Sequence, residues 1–126
     1  MQKSKIKFEK FQKALNSLEM IYLKPVQEDR SNIDATIQRF EFTFELAWKF
    51  LKDYFAERDV ILNYPKEVLK EAFGVGLIDD ENLWLEMLHD RNMTSHTYDE
   101  ELADEIYVKI KAYVPELRRL ASILAI

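Results

Sequence analysis

Phe40-Glu41-Phe42-Thr43-Phe44-Glu45-Leu46 can be read two ways. Taken alone, it alternates apolar and polar residues at period two, the pattern of a half-buried strand. Extended in both directions it becomes a helix, because Ile33, Ile37, Phe40, Phe44, Trp48, Leu51 and Phe55 recur at three- and four-residue intervals and neither Gly nor Pro interrupts the chain between Asn32 and Arg58. The spacing predicts one helix from about Asn32 to Arg58. Beside the first stripe runs a second, Phe42, Leu46, Phe50 and Tyr54. Two apolar stripes exceed what one packing partner covers, so the helix is either central in a bundle or meets another subunit. Arg39, Glu41 and Glu45 sit among these aromatics and read as helix-surface ion pairs or as charges at a stripe edge.

Outward from this spine the chain keeps helical period. Phe8, Phe11, Leu15, Leu18 and Tyr22 mark a first helix from about Ser4 to Leu23, ended by Lys24-Pro25 because the residue before proline is steered away from the α region. Lys3, Lys5, Lys7, Lys10 and Lys13 lie largely outside its stripe and read as a solvated face, with a phosphate-binding surface as the alternative. A polar connection leads to Ser31-Asn32. After the spine, Pro65 suits a first helical position and Gly74 a C′ stop, which gives a short helix. Asp79 or Asp80 then caps a helix with Leu83, Trp84, Met87 and Leu88 on its apolar face. The last helix carries Leu102, Ile106, Ile110, Tyr113 and Leu117, and Pro115 should kink or divide it. The apolar ending Leu120-Ala121-Ser122-Ile123-Leu124-Ala125-Ile126 needs cover from the core or from a partner.

Composition agrees with a single all-helical domain over residues 1–126. The 126 residues are 48% hydrophobic with two Gly and three Pro, and no apolar run approaches a membrane span of ~18 residues. The Lys-rich start lacks the apolar core of a signal peptide, so a cytoplasmic protein is expected. Zero cysteines excludes disulfides, thiolate catalysis and Cys-type zinc sites. His89, Asp90, His96 and Asp99 show no recognised ligand spacing, so neither metal nor cofactor is expected. A formal net charge of −5 argues against a generally basic nucleic-acid surface.

Chemistry concentrates in Arg91-Asn92-Met93-Thr94-Ser95-His96-Thr97-Tyr98. On an unbroken helix Arg91 and His96 would project roughly 140° apart and could not share a ligand. Asn92, Thr94, Ser95 and Thr97 are weak helix formers that supply the break. Thr97 with Glu100 fits a capping box, which would put Tyr98 in the first turn of the last helix and His96 just outside. Free N–H groups, a guanidinium and a titratable imidazole suit an anion such as phosphate. The same residues also read as ordinary caps and packing groups at a helix junction. Asp99, Glu100, Glu101, Asp104 and Glu105 would repel a polyanion from their side, so it must approach from the Arg91 side or meet charge from a second subunit.

Arg91, four intervening residues, His96, one more and Tyr98 resemble the R-x4-H-x-Y signature of HEPN-domain proteins of the HepT-like group, also called nucleotidyltransferase substrate-binding proteins. Gln38-Arg39-Phe40-Glu41-Phe42-Thr43-Phe44-Glu45-Leu46-Ala47-Trp48, Pro65-Lys66-Glu67, Glu71-Ala72-Phe73 and Trp84 resemble the same family, which thus covers most of the chain from Gln38 to Glu105. Tyr64 departs from it, standing where a capping Ser or Thr is expected before Pro65. The resemblance implies an up-and-down four-helix bundle with an additional short helix, forming a homodimer in which two R-x4-H stretches face a shared cleft. It implies a metal-independent endoribonuclease in a toxin–antitoxin pair, with Arg91 and His96 catalytic, Arg91 and Asn92 holding the RNA substrate, and Tyr98 accepting AMP from a partner minimal nucleotidyltransferase. The alternative it leaves is a nucleotide-binding, non-catalytic subunit of a nucleotidyltransferase.

Overall fold

The computed structural model describes residues 2–26 and 30–124, with no strand among them. α1 spans Gln2–Tyr22, α2 Ser31–Ala56, α3 Pro65–Gly74, α4 Glu81–Met93 and α5 Glu100–Leu124, and a 3₁₀ turn occupies Thr94–His96. The architecture is thus four long helices with the short α3 inserted between α2 and α4. The alternating stretch is helical throughout. Residues 27–29, within the expected polar connection, and Ala125 and Ile126 of the apolar ending lie outside the described residues.

Every residue of the first α2 stripe is buried, from Ile33 to Phe55, with Phe40, Phe44 and Leu51 fully so. Full burial of each such side chain contributes roughly 1.5–3 kcal/mol. They meet Phe11, Leu15 and Leu18 of α1, Val68, Leu69 and Ala72 of α3, Trp84 and Met87 of α4, and Ile106, Ile110, Tyr113 and Leu117 of α5 in one core. α2 packs against all four other helices, and this central position explains most of its second stripe. Phe50 is buried against Phe8 of α1, ring centroids 5.1 Å apart, while Phe42 remains 41% exposed.

α1 and α2 run antiparallel. Ser4 N–H donates to Glu57, Lys7 pairs with the buried Asp53 at 3.0 Å, and Arg39 Nη1 donates to the Ser17 carbonyl at 2.8 Å, so rising numbers on one helix meet falling numbers on the other. Lys7 therefore leaves the solvated lysine face and does structural pairing, whereas Lys3, Lys5, Lys10 and Lys13 are exposed or only partly covered. Arg30, with φ 63° in the left-handed region, sends its guanidinium to Asp104 of α5 at 2.7 Å and ties the start of α2 to that helix.

Three local details refine the sequence reading. Gly74 is the last residue of α3 rather than its C′ residue. Gly76, with φ +83°, takes that place, its N–H donating to the Phe73 carbonyl and that of Leu77 to the Ala72 carbonyl, the paired bonds of a Schellman ending. Tyr64 gives α3 no side-chain cap, and Glu67 Oε1 reaches back to accept from the Asn63 and Tyr64 N–H groups, both at 3.1 Å. Pro115 does not divide α5. Tyr113, Val114 and Leu117 anchor both sides of it in the core, while Pro115 itself faces solvent. At the far end, Leu120 and Ala121 are covered by the core and Ile123 is exposed.

Candidate functional site

The Asp80 carboxylate caps α4 by accepting from Leu83 N–H at 3.1 Å, which settles the choice between Asp79 and Asp80. The helix is then fastened to α5 at two depths. Fully buried Trp84 donates its indole N–H to Glu116 at 3.3 Å, and burial holds that carboxyl above its ordinary range. One position before Arg91, the buried Asp90 accepts a 2.5 Å hydrogen bond from the Tyr113 hydroxyl, with Lys109 Nζ at 3.4 Å. Burial, then the Asp90 carboxylate, raises the Tyr113 phenol well above its usual pKa, so it stays a donor. Arg91 thus emerges from a helix whose inner face is fixed.

The predicted break is present. α4 ends at Met93, the 3₁₀ turn carries Thr94–His96, and α5 begins at Glu100. Its cap differs from the expected one. Asp99 Oδ1 accepts from Glu101 N–H at 3.0 Å and Leu102 N–H at 3.3 Å, whereas Thr97 Oγ1 donates to the Thr94 carbonyl at 2.9 Å. A carboxylate is the stronger acceptor at the positive end of the helix dipole, and it sets the start two residues later. Tyr98 therefore falls outside the first turn and is 79% exposed.

The site residues divide into two groups. His96 and Tyr98 are both exposed, their rings edge-to-face at 6.2 Å, and the His96 imidazole has no hydrogen bond among the described residues. Arg91 is half-buried, its Nη1 donating to Asn92 Oδ1 at 3.2 Å and its Nη2 paired with Glu45 of α2. Its Nε is buried without a partner among the described residues. No hydrogen bond joins Arg91 to His96 there, and the two are linked by the short turn between them.

Glu41 and Glu45 were legible in the sequence as helix-surface ion pairs or as charges at a stripe edge. Glu45 does form an i,i+4 pair with Lys49 at 3.1 Å, as such charges do, but its Oε1 also takes Arg91 and the Trp48 indole N–H at 3.1 Å. Burial raises the Glu45 pKa, and the donors Trp48, Lys49 and Arg91 together outweigh it and hold the carboxyl below its ordinary range. Glu41 Oε2 accepts from Thr94 Oγ1, which also lies 2.7 Å from the Arg91 carbonyl oxygen. The available signal was their spacing of one helical turn inside an otherwise apolar block.

Comparison with known proteins agrees with this architecture. A family model described as nucleotidyltransferase substrate binding protein like matches residues 6–125. A relative from Haemophilus influenzae, named a probable ribonuclease HepT, is 38% identical over 89 residues, a match that spans 67% of this chain and only 61% of that protein. A crystal structure from Thermus thermophilus superimposes with a TM-score of 0.84 at 35% identity, covering 92% of this chain and 99% of that one. A solved structure from Haemophilus influenzae, described as revealing the fold of a substrate binding domain of a nucleotidyltransferase, gives 0.69 at 29% identity over 98% and 97% of the two chains. With a family match along nearly its whole length, and the R-x4-H-x-Y residues lying at a helix break, the chain belongs to the HepT-like nucleotidyltransferase substrate-binding family.

Proposed function

We propose that the protein is the HEPN-type subunit of a cytoplasmic two-component system with a minimal nucleotidyltransferase, and that it acts as a metal-independent endoribonuclease through Arg91 and His96. The observation that carries this reading is the helix break, which leaves His96 and Tyr98 exposed within a few residues of a guanidinium held at the end of α4. A homodimer brings two such junctions to one cleft and doubles the positive charge, which answers the acidic start of α5. Arg91, with Asn92 beside it, binds the scissile phosphate. The ribose 2′-oxygen attacks phosphorus as its proton passes to an imidazole, the P–O5′ bond breaks, and the leaving 5′-oxygen takes a proton. The products are a 2′,3′-cyclic phosphate and a 5′-hydroxyl.

Tyr98 is the proposed modification site. Its phenol oxygen attacks the α-phosphate of ATP on the partner nucleotidyltransferase, pyrophosphate leaves, and the added AMP places bulk and negative charge two residues from His96. The deciding experiment is RNA cleavage by the wild type and His96→Ala with EDTA present: the wild type cuts, the variant does not, and absence of cutting by both refutes the ribonuclease reading. Mass spectrometry after incubation with partner and ATP tests Tyr98 by its gain of AMP.

One observation favours a second reading, a nucleotide-binding subunit without catalysis. His96 lacks an orienting hydrogen bond among the described residues, and an imidazole that nothing aims is poorly suited to proton transfer. Nucleotide binding that Arg91→Ala abolishes, without cleavage, selects it.

A further inference from the structure

Two carboxylates of α2 reach the junction from a distant part of the sequence. Glu41 and Glu45 are one turn apart and so share a face of α2. Opposite them, Arg91 and Thr94 are also one turn apart, and the residues pair in order, Glu45 with Arg91 and Glu41 with Thr94. The Glu45 carboxylate is itself oriented. Its Oε1, which holds Arg91, also accepts the indole N–H of the buried Trp48, and its Oε2 holds Lys49. An exposed i,i+4 pair has no such constraint from the core. The guanidinium has Nη2 on Glu45, Nη1 on Asn92 and Nε buried, with a third of the side chain exposed.

We propose that Glu45 and Glu41 are positioning residues of the site: Glu45 fixes the Arg91 guanidinium and Glu41 fixes the turn that carries His96. Glu45 also occupies Arg91 as an internal anion, so a phosphate or nucleotide must share the guanidinium with a like charge. The ligand class rests on the proposed function; the two contacts themselves do not. Holding the guanidinium in one geometry favours turnover, while the competing carboxylate weakens binding, so removal of its charge moves the two in opposite directions. A merely structural role moves them together.

The test uses Glu45→Gln, which keeps the size and the acceptor for Trp48, and Glu41→Gln, each checked by thermal unfolding. The Arg91 Nε–H resonance, assigned through Arg91→Lys, is expected to shift in Glu45→Gln, and the His96 ring resonances in Glu41→Gln. A 2′-O-methylated RNA, which cannot be cut, and AMP serve as binding probes, followed by fluorescence anisotropy and calorimetry. Glu45→Gln is expected to bind them about threefold more tightly and, on cleavable RNA, to turn over about tenfold more slowly. If the wild type cuts no RNA, the ribonuclease reading fails and the resonances and binding still decide this proposal. Unshifted resonances, or binding that is equal, weaker or absent in Glu45→Gln, overturn it.

Discussion

Tyr113→Phe removes one oxygen from the interior and tests what anchors α4 just ahead of Arg91. The Tyr113 ring is fully buried and stacked on Phe40, centroids 5.4 Å apart, and Phe retains all of that packing. What is lost is the hydrogen bond to Asp90, a carboxylate only 4% exposed. A hydrogen bond to a charged group contributes about 1.5–3 kcal/mol, and removing the donor leaves the buried carboxylate short of a partner. Lys109 at 3.4 Å offsets part of that, which places the expected loss at about 2 kcal/mol. With 126 residues at about 2.1 cal/mol/K each, the unfolding entropy is about 0.26 kcal/mol/K, so the midpoint falls by about 8 °C.

Thermal and urea unfolding of Tyr113→Phe, Asp90→Asn and the double variant complete the cycle. An amide at position 90 still accepts from Tyr113 but carries no charge to strand, so the second substitution is less damaging in the presence of the first. The coupling should be at least about 1 kcal/mol. A loss below about 0.5 kcal/mol for Tyr113→Phe, or strict additivity, would mean the pair does not fasten the helix.

Asp99→Ala should lower stability by about 1 kcal/mol, with Thr97→Ala changing it less; the reverse order in urea unfolding restores Thr97 as the cap. Gly76→Ala should cost about 1 kcal/mol through its left-handed φ alone, since an added Cβ meets nothing within 4 Å, and an unchanged midpoint contradicts that. Two of the carboxyls with shifted pKa values, Glu45 and Glu116, predict opposite pH trends. Glu45 titrates lower when folded, so its stabilisation is present above its unfolded pKa of about 4.3 and fades as pH falls through the folded value. Glu116 titrates higher when folded, chiefly through burial, so its charged form disfavours folding above that value and the penalty fades as pH falls. Stability differences from Glu45→Gln and Glu116→Gln, measured from pH 7 to pH 3, should therefore bend in opposite senses.

Periodicity made the spine readable because one face of α2 is buried along its whole length, so every third or fourth position had to be apolar. The junction was readable because Asn92, Thr94, Ser95 and Thr97 disfavour helix on local grounds alone. Register at the caps was not. Thr97 and Asp99 both satisfy a local N-cap rule, as Gly74 and Gly76 both satisfy a C-terminal one, and the outcome depends on which backbone groups the tertiary packing leaves free. The partners of Arg91 and Thr94 were hidden for a different reason: Glu45 and Glu41 lie far away along the chain, and only the packing of α4 against α2 creates the contact.

The ambiguity of Phe40-Glu41-Phe42-Thr43-Phe44-Glu45-Leu46 has a structural origin. Wound at four-residue spacing, these residues sort onto separate faces with separate surroundings. Phe40 and Phe44 enter the core, Thr43 and Ala47 are buried beside them, and Thr43 satisfies its hydroxyl on the Arg39 carbonyl at 2.5 Å. Glu41 and Glu45 meet the junction, Leu46 is partly buried against the core, and Phe42 turns outward, 41% exposed. Alternation at period two is what a helix displays when it must supply core, site and outer surface in successive residues. Because Phe42 adjoins Glu41 in sequence, a second chain that covered Phe42 would bear on α2 one residue from the carboxylate that holds Thr94, which would couple the proposed dimer to the geometry of its own cleft.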